Sequence, residues 1–106
     1  MIHTPSSSLN QDSLFSVIEQ RINQYFSPTY CHLQDDSHEH AGHSGSIGGG
    51  KHFSISMQSS AFINTTAVKR HQMVYAVLHD LLDSQYAVNN PKQGYIHALK
   101  LDLYIN

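Results

Sequence analysis

The stretch HFSISMQ, residues 52–58, decides the fold because apolar and polar side chains alternate along it. Such alternation is typical of a strand that has one buried face and one wet face. The buried face would carry Phe53, Ile55 and Met57, and the other face would carry Ser54, Ser56 and Gln58. We therefore expect a strand here, in a sheet that is covered on one side.

An amphipathic helix is predicted on each side of this strand. The first follows a capping-box pattern at Ser8 and Gln11 and ends before Pro28. Apolar side chains at steps of three and four define its inward face, which comprises Leu14, Val17, Ile18, Ile22, Tyr25 and Phe26. The second helix spans residues 67–82 after a connection anchored by Phe62. Its predicted inward residues are Val68, Val74, Val77, Leu78, Leu81 and Leu82, while Lys69, Arg70 and Asp80 would face solvent.

Two further strands complete the predicted fold. Residues 30–35 form a short strand around Leu33, and residues 95–105 alternate, with His97, Leu99, Leu101 and Leu103 on one parity. Residues 83–94 are expected to be a loop because they contain Asn, Pro and Gly. The order αββαβ predicts an α+β fold in which two helices pack on one face of a three-stranded sheet. Residues 1–8 would be a flexible N-terminus, and residues 9–106 a single domain.

Composition excludes several classes of protein. The 106 residues suit one small domain, and a net charge of −2 argues against a nucleic-acid binder held by bulk positive charge. A run of about 20 apolar residues, as a membrane span requires, does not occur. Cys31 is the only cysteine, which fits a reducing compartment. The N-terminal residues resemble neither a signal nor a transit peptide, so we expect a cytoplasmic protein without a membrane partner.

Histidine is the outstanding residue type. Nine are present, and the predicted loop at about 36–51 carries three of them, His38, His40 and His43, close to several acids and glycines. Imidazoles on a bendable loop could bind zinc, iron or copper, or the loop could simply be solvated. The absence of a Cys-x-x-Cys pair argues against a closed zinc site. His97 would most simply be a half-buried strand residue, unless the fold brings it beside the loop histidines. Cys31 would be a quiet, half-buried thiol.

The start of the second helix is basic. Lys69, Arg70 and His71 lie where the positive end of the helix dipole is expected, so they are candidate contacts to an anion or a nucleic acid. Two full charges contribute little to DNA binding in salt, and a solvated basic face is the simpler interpretation.

Three segments together resemble the BolA family. The first is DSHEHAGH (residues 36–43) with the glycine-rich run to His52 and Phe53; the second is Phe62 followed by VKRHQMVY (residues 68–75); the third is IHAL (residues 96–99). Their order and spacing match over roughly residues 12–104. Two positions depart from the family pattern. Ile63 and Asn64 follow Phe62 where the family has glycine, and Gln72 replaces an arginine.

The resemblance implies a class II KH-like fold and a partner. BolA-like proteins pair with monothiol glutaredoxins and share a [2Fe–2S] cluster held also by a glutaredoxin cysteine and glutathione. The histidine of the Ile-His-Ala strand, here His97, would be one ligand, and a loop residue the other. His43 fits best, His40 is the alternative, and His38 fits less well. The isolated chain would hold no cluster and would be a monomer or a weak homodimer.

Two other functions remain as alternatives. Some BolA proteins are transcriptional regulators, which would place Lys69, Arg70 and His71 on DNA, although Gln72 and the net negative charge weaken that interpretation. An autonomous zinc or copper binder would use His38, His40 and His43, with Cys31 as a further ligand. The preferred hypothesis is a non-enzymatic partner in iron–sulfur cluster assembly, trafficking or iron regulation.

Overall fold

The computed structural model describes residues 13–37 and 50–105. These form an α+β fold, as predicted. Its elements in chain order are α1 (Leu14–Phe26), β1 (Tyr30–Asp35), β2 (Gly50–Ser59), a 3-10 turn (Ser60–Phe62), α2 (Ala67–Leu78), a second 3-10 turn (His79–Leu82), α3 (Ser84–Asn89) and β3 (Tyr95–Ile105). The sheet has the order β1-β2-β3, with β1 antiparallel and β3 parallel to the central strand.

The central strand owes its position to the alternation of its side chains. Phe53, Ile55 and Met57 are buried, as predicted. They pack with the buried faces of α1 and α2, mainly Leu14, Ile18, Ile22, Phe26, Val74 and Leu78. Phe62 is fully buried and its ring centroid lies 5.4 Å from that of Phe26. Because all of this burial lies on one side, the other face of the sheet stays open and polar.

The helix predictions are correct in position and wrong in some details. The described part of α1 begins at Leu14, where the Ser13 side chain accepts a hydrogen bond from the N–H of Ser16; Ser8 and Gln11 lie outside the described residues. Tyr25 is 60% exposed although it was predicted to face inward. It occupies the last turn, where Phe26 fills the core and a tyrosine hydroxyl can remain in water.

The second helix is shorter than predicted. Its α-helical part ends at Leu78 and residues 79–82 tighten into a 3-10 turn. Val68 is 67% exposed, contrary to the prediction, because it is rotated by about 120° from Val74 around the helix axis. Arg70 was also placed in solvent, yet it is partly buried, since its guanidinium donates to the Thr65 carbonyl oxygen at 2.8 Å.

The segment predicted as a loop at 83–94 contains the short helix α3. The Asp83 side chain caps it by accepting a hydrogen bond from the N–H of Gln85 at 2.9 Å. Ala87 is buried and Tyr86 packs against the core, which stabilises a helix too short to persist alone. No helix among residues 13–37 and 50–105 has the length and apolarity that crossing a membrane requires.

The connection after Phe62 contains an unusual backbone conformation. Asn64 has φ = 62°, in the left-handed region that favours glycine. Asparagine is one of the few other residues that enter this region at low cost. The replacement of a family glycine by Ile63 and Asn64 therefore leaves a turn-competent residue in the segment.

Candidate functional site

The candidate site is centred on a β-bulge at His97. Lys51 pairs with Ile96, but the next residue of β2, His52, pairs with Ala98, so β3 has one extra residue at this point. A bulge disturbs the regular alternation of side chains and re-aims the residue that carries it. His97 is accordingly exposed, whereas the predicted parity with Leu99 and Leu101 would have turned it towards the covered face.

The bulge brings His97 to His52. Their ring centroids are 5.4 Å apart and the ring planes meet at 47°. On the other side of His97, the Tyr95 ring lies edge-on at 6.2 Å, and its hydroxyl oxygen is 3.4 Å from Nδ1 of His97. His97 thus stands between two neighbours that restrict its orientation without covering it.

The described residues that flank positions 38–49 in the chain are held beside this pair on both sides. On the N-terminal side, the N–H of Asp36 donates to the carbonyl oxygen of His52 at 2.7 Å, and the N–H of His52 donates to Oγ of Ser37 at 3.0 Å. On the C-terminal side, Gly50 pairs with Tyr95. The predicted loop ligands His38, His40 and His43 lie outside the described residues; the flanking residues Ser37 and Gly50 contact His52 and Tyr95, the neighbours of His97.

The described residues do not supply a complete metal site by themselves. Within residues 13–37 and 50–105, no three His, Cys, Asp or Glu side chains are grouped so as to hold a metal ion. The bulge brings together two possible nitrogen ligands, the imidazoles of His52 and His97. Two imidazoles bound to one tetrahedral ion have ring centres about 5 Å apart, so at 5.4 Å the two rings are close enough to share an ion once a nitrogen of each is turned towards it.

Sequence reasoning overlooked His52 as a candidate. It has the same parity as Ser54 and Ser56, which places it on the open face of the sheet, and this signal was already available in the alternating pattern. Its proximity to His97 was not, because the bulge shifts the register of β3 by one residue. Nε2 of His52 is buried, so a ligand would approach its Nδ1 or the ring would have to turn.

A polar groove lies on the open face of the sheet. Its volume is about 490 Å³, and it is lined by Asp36 and by side chains from all three strands, among them Gln34, Ser54 and Lys100. Asp36 holds two of the other lining side chains in place: its carboxylate accepts hydrogen bonds from the Gln34 amide at 2.7 Å and from the Ser54 hydroxyl. The groove therefore offers both charges to a polar partner surface.

Cys31 lies well away from the histidine pair. It pairs with Met57, five residues along β2 from His52, a separation of about 16 Å at the rise of a strand. It is exposed rather than half-buried as predicted, because β1 is an edge strand. Partial desolvation beside α1, aided by the charge of Glu19, raises the pKa of its thiol. This environment disfavours the thiolate that a metal or an electrophile would need.

The predicted basic patch is only partly available. Lys69 and His71 are exposed, but Arg70 is turned back onto Thr65. Beside them, Ala67, Val68, His71, Gln72 and Tyr75 line a largely apolar groove of about 370 Å³. The start of α2 therefore presents one exposed lysine and one exposed histidine next to an apolar surface.

Comparison with known proteins identifies the family of this fold. A family model described as BolA-like protein matches residues 22–106. The chain belongs to the BolA family. A curated BolA from Haemophilus influenzae, named DNA-binding transcriptional regulator, is 33% identical over 92 residues, which is 87% of this chain and 77% of that protein.

Plant BolA proteins are similar in sequence and in structure. The chloroplastic protein BOLA1 of Arabidopsis thaliana is 31% identical over 84 residues, and this chain spans about half of its length (52%). The structure of Arabidopsis BolA1 has a TM-score of 0.67 at 28% identity, covering 86% of this chain and 89% of the other. The BolA domain of Arabidopsis SufE1 has a TM-score of 0.65 at 30% identity, covering 86% and 90%. The fold is therefore that of a BolA domain.

Proposed function

We propose that this BolA-family chain is a binding protein rather than an enzyme, and that it forms a complex with a monothiol glutaredoxin in which the two share a [2Fe–2S] cluster. In this complex the chain supplies two ligands, His97 and one histidine of residues 38–49. His43 is the preferred second ligand, His40 is the alternative, and His38 is the third choice. The glutaredoxin and glutathione supply the remaining ligands. The role would be cluster assembly, trafficking or iron regulation in the cytoplasm.

The observation that carries this proposal is the exposure of His97 at the bulge. An imidazole that serves a partner's cluster has to be reachable from outside its own fold, and this one is. The positions of Ser37 and Gly50 beside His52 and Tyr95 support a second ligand from the residues between them in the chain.

The donor chemistry also supports an iron–sulfur cluster. Replacing two thiolates on one iron by two neutral imidazoles makes the cluster less negative and raises its potential, as in Rieske centres. The Tyr95 hydroxyl lies near Nδ1 of His97, so Nε2 is the nitrogen that this contact leaves for a ligand. The second imidazole nearby, His52, is a further candidate ligand that the structure adds to the three loop histidines.

The test is an anaerobic titration of this protein into a glutaredoxin–glutathione [2Fe–2S] complex, followed by absorption and circular dichroism. We expect a saturable spectral change at one-to-one stoichiometry. His97→Ala should abolish the change in the cluster bands. The second ligand is then the histidine whose replacement causes the next largest loss of that change, among the variants His43→Ala, His40→Ala, His38→Ala and His52→Ala.

The matched control is His79→Ala, because His79 is exposed in the 3-10 turn after α2, away from the bulge. It should leave the titration unchanged. A spectrum that is only the sum of its components, or one that His97→Ala leaves intact, would contradict the proposal. Stoichiometric zinc or copper binding by the isolated chain would instead favour the autonomous metal site.

A second candidate function is DNA binding, favoured by the name of the Haemophilus influenzae relative and by the exposure of Lys69 and His71. Because few positive charges are available, binding should be weak and steeply salt-dependent. A mobility-shift titration with duplex DNA at low ionic strength tests it. Lys69→Ala should weaken a genuine complex, Lys92→Ala serves as the control, and no shift at low salt would rule this function out.

A further inference from the structure

Strand β3 is an unusually long edge strand. It runs over eleven residues, Tyr95–Ile105, and the sheet order leaves only one of its sides paired. Within residues 13–37 and 50–105, no strand pairs with its outer side. Edge strands of natural proteins are normally short, bulged or covered, since a long open edge invites pairing with another chain. This one has its bulge at the N-terminal end, which leaves the remainder regular.

The side chains of this edge carry a specific charge pattern. Lys100 and Asp102 are exposed and both line the groove on the open face of the sheet. In the described part of the chain neither of them forms an ion pair. On the other side of the strand, Leu101 and Leu103 face the core, and at the end of the strand Tyr104 and Ile105 are 53% and 49% exposed.

The pattern is complementary to itself. If two copies of β3 lie antiparallel with the two-fold axis at Leu101, each Lys100 is directly opposite Asp102 of the second copy. The same alignment sets Leu99 against Leu103 and Leu101 against itself, so the apolar faces coincide. Opposite charges facing each other across two strands stabilise pairing, and like charges oppose it.

Other registers lack this match. The buried side chains of both copies lie on the same face of the joined sheet only when the register differs from this one by an even number of residues. An axis at Lys100 would oppose two lysines, and an axis at Asp102 would oppose two aspartates. The axis at Leu101 is therefore the alignment that charge selects.

We propose that the chain forms a two-fold symmetric homodimer in which β3 pairs with β3 of a second copy, from Ala98 to Tyr104, to make a continuous six-stranded sheet. The bulge at His97 lies just beyond the paired stretch and ends it. In a two-fold pair, the outer backbone N–H and C=O groups of both β3 strands are hydrogen-bonded to each other, so no further copy can add to this edge of the sheet. This inference is independent of the proposed glutaredoxin complex.

Sedimentation equilibrium of the full chain, from low micromolar to millimolar concentration, provides the test. We expect a concentration-dependent dimer. Lys100→Glu and Asp102→Lys each create two like-charge pairs and should weaken dimerisation about tenfold or more. The double variant Lys100→Asp with Asp102→Lys exchanges the charges and should restore it. Lys92→Glu is the matched control, since Lys92 is exposed in the turn before β3 and carries the same charge change.

Each outcome bears on the proposal directly. A wild-type chain that stays monomeric at millimolar concentration overturns it. Dimerisation that is equal in all variants, or single variants that weaken the dimer without rescue by the exchange, contradicts the proposed register. Circular dichroism of each variant separates loss of pairing from loss of fold, because Lys100 and Asp102 are exposed and their exchange should leave the monomer intact.

Discussion

The imidazole rings of His52 and His97 are neighbours, 5.4 Å between centroids, although the two residues do not face each other in the strand register. His52 pairs with Ala98, and His97 is the extra residue of the bulge. A regular strand would have sent His97 towards the core side with Leu99. One inserted residue thus converts an inward position into an exposed donor beside a second imidazole.

This proximity predicts a measurable coupling between the two rings. Removing the His52 ring by His52→Ala removes its ring current at His97, so the ring proton resonances of His97 should shift in the NMR spectrum. Ser54→Ala is the control, because Ser54 is the next residue of the same open face but carries no ring. Equal spectra of His97 in the wild type and His52→Ala would show that the rings are not in contact in solution.

The left-handed backbone at Asn64 predicts an unequal response to substitution. Asn64→Ala should lower the free energy of unfolding by about 1 kcal/mol, because alanine enters this region at a cost that asparagine largely avoids. Asn64→Gly should change it by no more than about 0.5 kcal/mol. Asn89→Ala is the matched control, since Asn89 is exposed in the helical α3. Urea unfolding measures all three, and an Asn64→Ala cost no larger than the control would contradict the prediction.

The ion pair between Arg21 of α1 and Asp80 predicts a pH dependence of stability. Arg21 donates two hydrogen bonds to the Asp80 carboxylate, one of them at 3.0 Å, and this lowers the pKa of Asp80 below its ordinary value. A lowered carboxyl pKa stabilises the fold above the unfolded pKa of about 3.9, and the contribution is lost as the pH falls through the folded value. Both groups are partly exposed, so the effect should stay below about 1 kcal/mol.

The measurement is a set of unfolding curves from pH 7 to strongly acid conditions. Asp80→Asn should be less stable than the wild type at pH 7, and the difference should vanish in acid. In an Arg21→Gln background, Asp80→Asn should have little further effect, which is the signature of a coupled pair. A difference that persists unchanged in acid would assign the loss to something other than the ion pair.

The environment of Cys31 predicts that its thiol is alkylated slowly. Desolvation, together with the charge of Glu19, raises its pKa, so alkylation by iodoacetamide should have its pH midpoint above that of an ordinary exposed cysteine. A suitable reference is Ser60→Cys in a Cys31→Ser background, because Ser60 is exposed. Glu19→Gln should move the midpoint of Cys31 downward. A Cys31 profile equal to the reference would contradict the prediction.

Local sequence patterns predicted most of the secondary structure correctly. The strand at 30–35 agrees with the structure residue for residue, and the alternation around Phe53, Ile55 and Met57 correctly identified the buried face of the central strand. The strand predicted at 95–105 is likewise Tyr95–Ile105 in the structure, but the same reasoning failed between the second helix and that strand. Helix α3 was missed because its six residues are stabilised by Ala87 and Tyr86 packing on the core, which no local pattern records.

The sequence by itself determined the three strands, the two longer helices and the family motifs they carry, because period and spacing are local properties. Only the tertiary structure decided which histidines meet. The register of β3 on β2 depends on contacts between segments far apart in the chain, and its single-residue shift exposes His97 beside His52. The free edge of β3 is equally a tertiary fact, since a strand becomes an edge only when the order of the sheet is known.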